Sequence, residues 1–209
     1  MFSGIVQGHA TLSSKEEKDS IVKMKFKTQA FDPSNLDLGA SIAINGVCLT
    51  ATSLDEDSFS VDVSTETLKC TNIGELEIND LVNIEQSLKI GDSIDGHFVF
   101  GHVDEVSEVQ NIEELDETKI LYFTLSDEGM KFVVKKGSIT INGVSLTVNA
   151  VSNNGFEVMI IPHTLEKTTF SEFEKGTRAN IEYDTVSYTH LRAHETDSYR
   201  VCRRLLEKK

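Results

Sequence analysis

An all-β chain built from two like domains is what the sequence predicts, and three observations predict it. The heptapeptide INGVCLT at residues 44–50 returns as INGVSLT at 141–147, 97 positions on, with Cys48 exchanged for Ser145. At that offset Ile42 to Glu85 lines up with Ile139 to Glu182 without a gap. Phe59 meets Phe156, Val61 meets Val158, Thr67-Leu68 meets Thr164-Leu165, Thr71 meets Thr168, and Asn83-Ile84-Glu85 meets Asn180-Ile181-Glu182. Gly4 and Val6 likewise meet Gly101 and Val103. A period this long is that of a small domain and not of a solenoid repeat. The second observation is strict alternation of apolar and polar residues in short runs between turn signals. The third is that no long amphipathic helix interrupts either copy, so each copy reads as a small antiparallel barrel.

The elements follow in order. Asn-Gly between alternating apolar runs marks a two-residue hairpin, because both turn positions need positive φ. With the turn at Asn45-Gly46, Ile44 pairs with Val47, Ala43 with Cys48, Ile42 with Leu49 and Ser41 with Thr50. Ile42, Ile44, Val47 and Leu49 then share the core face, and Ser41, Ala43, Cys48 and Thr50 the other. The second copy places Ile139, Ile141, Val144 and Leu146 inward, with Ser138, Thr140, Ser145 and Thr147 outward. In the next strand Phe59, Val61 and Val63 alternate with Ser60, Asp62 and Ser64; Phe156, Val158 and Ile160 alternate with Glu157, Met159 and Ile161. Short helical pieces are expected at 31–37 and 126–134, and residues 86–97 link the barrels.

Composition limits the function. At 209 residues, two domains of roughly 100 residues can each bury a core. A net charge of −14 repels phosphate backbones, which argues against a nucleic-acid partner. The opening MFSGIVQGHA lacks the basic and apolar regions of a signal peptide, and no run approaches the ~18 apolar residues of a membrane span. Three cysteines, odd in number and without metal spacing, suit a reducing cytoplasm. Acidic clusters such as Asp55-Glu56-Asp57 read as solvated loops.

A strand face of small hydroxyls and one thiol is either solvent-facing or the wall of a pocket for a polar, largely uncharged ligand. Its recurrence in both copies favours the pocket, and duplication then implies two related pockets for two similar ligands. Positions where the copies diverge on that face, Cys48/Ser145, Asp62/Met159, Ser64/Ile161 and Ile5/His102, would make the pockets unequal.

MFSGIVQG, LGASIAINGVCLT, ETLKCTNIG, GHFVFGHVD, KKGSITINGVSLTV and IPHTLEKTT together resemble the riboflavin synthase family over residues 1–185. The resemblance implies two tandem six-stranded Greek-key barrels (1–90 and 91–185), each binding one lumazine, then a C-terminal helix. It implies transfer of a four-carbon unit between two molecules of 6,7-dimethyl-8-ribityllumazine, giving riboflavin and a ribitylaminopyrimidinedione without a metal or other cofactor. It also implies a homotrimer, in which the N-terminal barrel of one chain faces the C-terminal barrel of its neighbour. Carried over by matching motifs, Lys136, Ser145, Thr147, Ile161, Thr164, His102 and Asp184 would form the C-terminal barrel's site, with His97 nearby. Gly4, Ile5, Val6, Ser41, Cys48, Thr50, Asp62, Ser64 and Thr67 would form the N-terminal barrel's. Gly101 and Val103 belong to the same substrate-binding set, and Phe2 is expected to close over a substrate. The catalytic group is expected among His102, Ser145, Cys48, Asp184 and Lys136, with Asp184 close to Ser145.

Each residue has a plainer reading. His97 and His102, an odd spacing apart, would point to opposite faces of a regular strand, which argues against a shared metal. Cys48 alone would be an inert small hydrophobe, Lys136 an exposed surface cation and Asp184 a turn residue. A non-catalytic lumazine- or flavin-binding relative, and a two-barrel protein-binding module, are the rival functions.

Residues 186–209 change character, holding six of the chain's twenty Lys and Arg with only a broken apolar stripe. SYTHLRAHET there resembles translated sequencing-adapter read-through, so this tail is expected to be non-native and to leave the trimer in question.

Overall fold

The computed structural model describes residues 1–18 and 20–186. The expected C-terminal helix and its trimer contacts fall on 187–209, outside the described residues.

Among the described residues, twelve antiparallel strands form two closed barrels. The first comprises β1 (Gly8–Lys18), β2 (Ile21–Thr28), β3 (Ser41–Ile44), β4 (Val47–Leu54), β5 (Ser58–Ser64) and β6 (Leu81–Gln86). The second comprises β7 (Glu105–Leu115), β8 (Thr118–Thr124), β9 (Ser138–Ile141), β10 (Val144–Val151), β11 (Gly155–Ile160) and β12 (Arg178–Tyr183). Around the first barrel the order is β1-β2-β5-β4-β3-β6, and the second repeats it with β7-β8-β11-β10-β9-β12. The duplication extends to irregularities. β1 bulges between Leu12 and Ser14 as β7 does between Val109 and Asn111, and β4 between Ala51 and Ser53 as β10 does between Val148 and Ala150.

Both hairpins have the expected register, Ile44 to Val47 through Ser41 to Thr50, and Ile141 to Val144 through Ser138 to Thr147. Asn45 and Gly46 have φ of 44° and 78°, and Asn142 and Gly143 have 44° and 80°, the left-handed geometry a two-residue turn demands. Ile42, Ile44, Val47 and Leu49 fill one core with Phe26, Phe59 and Met24. Ile139, Ile141 and Val144 fill the other with Phe123, Phe156 and Phe170. Closing each sheet removes the edges that would otherwise invite further pairing.

The helical expectations shrink to one-turn 3-10 pieces, Pro33–Asn35 and Gly129–Phe132. Two short α-helices were not anticipated: α1 (Thr65–Cys70) and α2 (Pro162–Lys167), each followed by a 3-10 turn. Six residues are too few for a periodic stripe, and caps carry them instead. The Ser64 hydroxyl accepts the Thr67 N–H at 3.1 Å, and Pro162 opens α2. Ser60, expected outward, is buried, because Lys25 and Ser53 flank so small a side chain on the neighbouring strands.

The barrels meet hairpin to hairpin. A Cβ on Gly46 would lie 2.6 Å from the Gly143 nitrogen, so only glycine permits the approach. Around the tips runs a buried asparagine network. Asn45 Oδ1 accepts the Asn83 N–H and Asn142 Oδ1 the Asn180 N–H, both at 2.8 Å. Asn83 Nδ2 then donates across the seam to the Asn142 carbonyl (2.9 Å), and Asn180 Nδ2 to that of Asn45 (2.8 Å). The symmetry breaks at Asn72, whose amide donates to Asn142 Oδ1; its counterpart Thr169 has a buried Oγ1 without a hydrogen-bond partner among the described residues.

Candidate active site

The decisive feature of the site is an exchange of segments. Phe2 and Val99 bridge antiparallel, Phe2 N–H to the Val99 carbonyl at 2.7 Å and Val99 N–H to the Phe2 carbonyl at 3.1 Å. From this pairing each segment runs to the other barrel. The Gly4 carbonyl accepts the Ser145 N–H at 2.8 Å, and the Gly101 carbonyl accepts the Cys48 N–H at 2.9 Å. A Cβ on either glycine would lie 2.6 Å from the facing Cβ of Ser145 or Cys48, and their φ values are +75° and +77°. Side chains follow the backbone: Val6 packs on the C-terminal core and Val103 on the N-terminal one.

This corrects the grouping inferred from sequence. Gly4, Ile5 and Val6 belong with Ser145 in the C-terminal barrel's site, and Gly101, His102 and Val103 with Cys48 in the N-terminal barrel's. Sequence adjacency misassigned them because the chain crosses between barrels before each begins. Phe2 is corrected too. Its ring is fully buried with Ala43 and Val99, with Cys48 packed alongside, so it is an anchor beneath the thiol and not a lid.

His97 joins the C-terminal site directly. Its Nδ1 lies 2.7 Å from Ser145 Oγ and its Nε2 3.1 Å from the Oγ1 of buried Thr140, while its N–H donates to the Ser3 carbonyl at 3.1 Å. Burial lowers the His97 pKa below its ordinary value, and the Asp184 charge opposes that in part. The ring is therefore neutral near pH 7. In the tautomer whose Nε2–H donates to the Thr140 hydroxyl oxygen, Nδ1 accepts a hydrogen bond from the Ser145 hydroxyl. Asp184 thus acts electrostatically on the imidazole that Ser145 touches, while its Oδ1 accepts the Val186 N–H at 3.0 Å. His102 is far from this arrangement in connectivity; it is exposed on the segment that abuts Cys48.

The remaining residues line the same two faces. On the N-terminal barrel, half-buried Cys48 and Ser41 and exposed Thr50 lie on the β3–β4 hairpin, beside exposed Asp62 and Ser64 on β5 and Thr67 in α1. On the C-terminal barrel, Ser145 and Thr147 lie on β10, with exposed Ile161 capping α2 and Thr164 within it. Lys136 is exposed with φ of 70°, where the first copy has Gly39 at φ 88°. A left-handed lysine costs about 1 kcal/mol that glycine avoids, so the second copy carries a strained, exposed cation at this turn.

Sequence reading missed the work of the Asn-Ile-Glu repeat. Glu85 accepts the Ser3 N–H (2.8 Å), the Ser3 hydroxyl (2.9 Å) and the Gly4 N–H (3.1 Å). Glu182 accepts the N–H groups of Phe100 (2.6 Å), Gly101 (2.9 Å) and His102 (3.1 Å). Both carboxylates are buried. Burial raises the Glu182 pKa to about 7 against the lowering pull of those three donors, with the Asp104 charge adding to the rise; burial raises Glu85 likewise. A glutamate kept twice on a barrel strand beside a core isoleucine was the available signal.

Comparison with known proteins agrees with this architecture. The lumazine binding domain model matches residues 3–87 and again 100–184. The riboflavin synthase of Escherichia coli is 40% identical over 185 residues, covering 88% of this chain and 87% of its own. That of Brucella abortus is 40% identical over 194 residues (90% and 95%), and that of Bacillus subtilis 36% over 186 (89% and 86%). Among solved structures, LumP complexed with riboflavin superposes with a TM-score of 0.81 at 23% identity, over 88% of this chain and 99% of that one. LumP complexed with 6,7-dimethyl-8-(1'-D-ribityl) lumazine gives 0.79 at the same identity and coverage, a likeness of fold. Fold and site together define a tandem lumazine-binding protein. The chain belongs to the riboflavin synthase family.

Proposed function

We propose that this chain is a transferase that moves a four-carbon unit between two molecules of 6,7-dimethyl-8-ribityllumazine, forming riboflavin and 5-amino-6-(D-ribitylamino)uracil. Substrates and products have the same total composition, so the reaction calls for no external oxidant or reductant. The observation that carries the reading is two like strand faces with unlike reacting groups: Ser145 paired with neutral His97 on one, and Cys48 under the His102 segment on the other. One lumazine must donate carbons and the other accept them, so identical pockets would not serve.

In this reading Ser145 and His97 accept and return protons at one lumazine, with Asp184 stabilising the imidazolium that forms. Cys48 and His102 contact the other lumazine, and Lys136 offers a cation where negative charge develops on the ring. Holding the two rings face to face supplies much of the acceleration through proximity. A pocket facing its counterpart on a second chain is the arrangement this requires, hence a homotrimer in the cytoplasm, with domains dividing near residue 90. The rival reading, a non-catalytic lumazine-binding relative, is less supported, because the higher identities are to riboflavin synthases.

The test is to mix purified chain with 6,7-dimethyl-8-ribityllumazine and follow the absorbance and fluorescence of riboflavin. Riboflavin formation that Ser145→Ala abolishes supports the proposal. Tight lumazine binding without turnover, persisting when residues 186–209 are replaced by a trimer-forming helix, would select the binding-protein reading.

A further inference from the structure

The segment exchange leaves one question open: what holds a short glycine-containing strand of one barrel against the reacting strand of the other? Neither Ser3–Ile5 nor Phe100–His102 lies in a regular strand, and each makes one backbone hydrogen bond to the far barrel's thiol- or hydroxyl-bearing residue. On its opposite edge, each segment meets a buried carboxylate of its own barrel. Glu85 sits at the end of β6 and Glu182 at the end of β12, and each carboxylate takes three donors from the segment it faces. Where the carboxylates are ionised these bonds are charge-assisted, strong tethers for an irregular backbone.

We propose that Glu85 and Glu182 are crosswise positioning residues: Glu182, in the C-terminal barrel, sets the geometry of the Cys48 site in the N-terminal barrel, and Glu85, in the N-terminal barrel, sets that of the Ser145–His97 site in the C-terminal barrel. The route on one side runs from Glu182 through Gly101 to the Cys48 N–H, and carries His102 with it. On the other it runs from Glu85 through Gly4 to the Ser145 N–H, and through Ser3, whose carbonyl takes the His97 N–H. Close packing transmits any slack: a Cβ on Gly96 would lie 2.1 Å from the Ser3 oxygen and 2.9 Å from Ser145 Cβ. Neither carboxylate touches the reacting atoms. Each would act by fixing a peptide plane, and each on the barrel to which it does not belong.

The inference deepens the proposed function and rests on it for its meaning, but its test reads the two sites without turnover. In a Cys70→Ser, Cys202→Ser background the alkylation rate of Cys48 reports the N-terminal site, and an NMR titration of the His97 imidazole reports the C-terminal one. Glu182→Gln keeps the size but sets an amide N–H₂ against backbone donors. It is expected to raise Cys48 alkylation about tenfold, the shift in local opening that loss of one charge-assisted hydrogen bond produces, and to leave the His97 titration unmoved. Glu85→Gln is expected to shift the His97 titration and leave Cys48 unmoved. Should either Gln variant fail to fold, Ser3→Ala removes a single donor from Glu85 and predicts a smaller His97 shift with Cys48 again unmoved. Perturbation of the site in the carboxylate's own barrel, of both sites equally, or of neither would overturn the proposal. A wild-type chain that forms no riboflavin would sink the proposed function while leaving these two readouts intact.

Discussion

His97 lies in the irregular segment that leads into the second barrel. Its imidazole lies 2.7 Å from Ser145 Oγ, whereas the segment against Cys48 carries the exposed His102. A cysteine needs less help, being far closer to its ionised form at neutral pH than a serine. The exchange of Cys48 for Ser145 and the presence of His97 are therefore two halves of one difference between the pockets. His97→Gln should lower kcat by about 10²-fold or more with little change in lumazine affinity, since it removes the proton acceptor and keeps the volume. Steady-state kinetics beside direct binding measurements would check this, and equal losses in both would contradict it. Cys48, Ser145 and the glycines facing them were legible in the sequence as repeated motif positions. The pairing of His97 with Ser145 was not, because their contact joins residues 48 apart through an irregular linker.

At the scale of elements, the INGV hairpin serves two ends. Its Asn-Gly dipeptide makes the turn, a local requirement that sequence alone displays, and the register followed from it without error. The same asparagines close the seam between barrels. Asn142 Oδ1 accepts from both Asn180 N–H and Asn72 Nδ2, at 2.8 and 3.1 Å. Asn142→Ala should cost roughly 2–4 kcal/mol, from two orphaned donors and a lost left-handed preference. Asn142→Gly, which keeps the turn, should recover only the conformational part, and urea denaturation of the pair would separate the two roles. Lys136 carries the reverse lesson. Its exposure is ordinary, and only its φ of 70° at the place of Gly39 sets it against local preference.

For the whole molecule, the buried glutamates make stability and site geometry respond oppositely to pH. The Glu182 pKa is raised from the ordinary 4.5 to about 7, so the folded state holds its proton more tightly than the unfolded chain does. Its stabilisation is therefore complete below about pH 4.5 and is lost as pH rises through about 7; Glu85 adds in the same direction. The swing is on the order of 3 kcal/mol at most, and Tm should fall by roughly 5 °C between pH 5 and 8. Glu182→Gln should flatten that slope, which differential scanning calorimetry across the range would reveal. Above pH 7 the ionised carboxylate is the better acceptor for the three segment N–H groups, so the tether gains as global stability declines.

By itself the sequence determined the duplication, the all-β class and the hairpin registers, for each of these is written in local pattern or in the repeat. Turn chemistry and alternation act within a few residues, and a gapless offset survives translation into structure unchanged. Tertiary structure alone decided which segment serves which barrel, that Phe2 anchors the floor beneath Cys48, and that Glu85 and Glu182 grip the exchanged strands. Those outcomes depend on how two closed surfaces meet, and the pattern within either copy is the same whether its leading segment stays home or crosses.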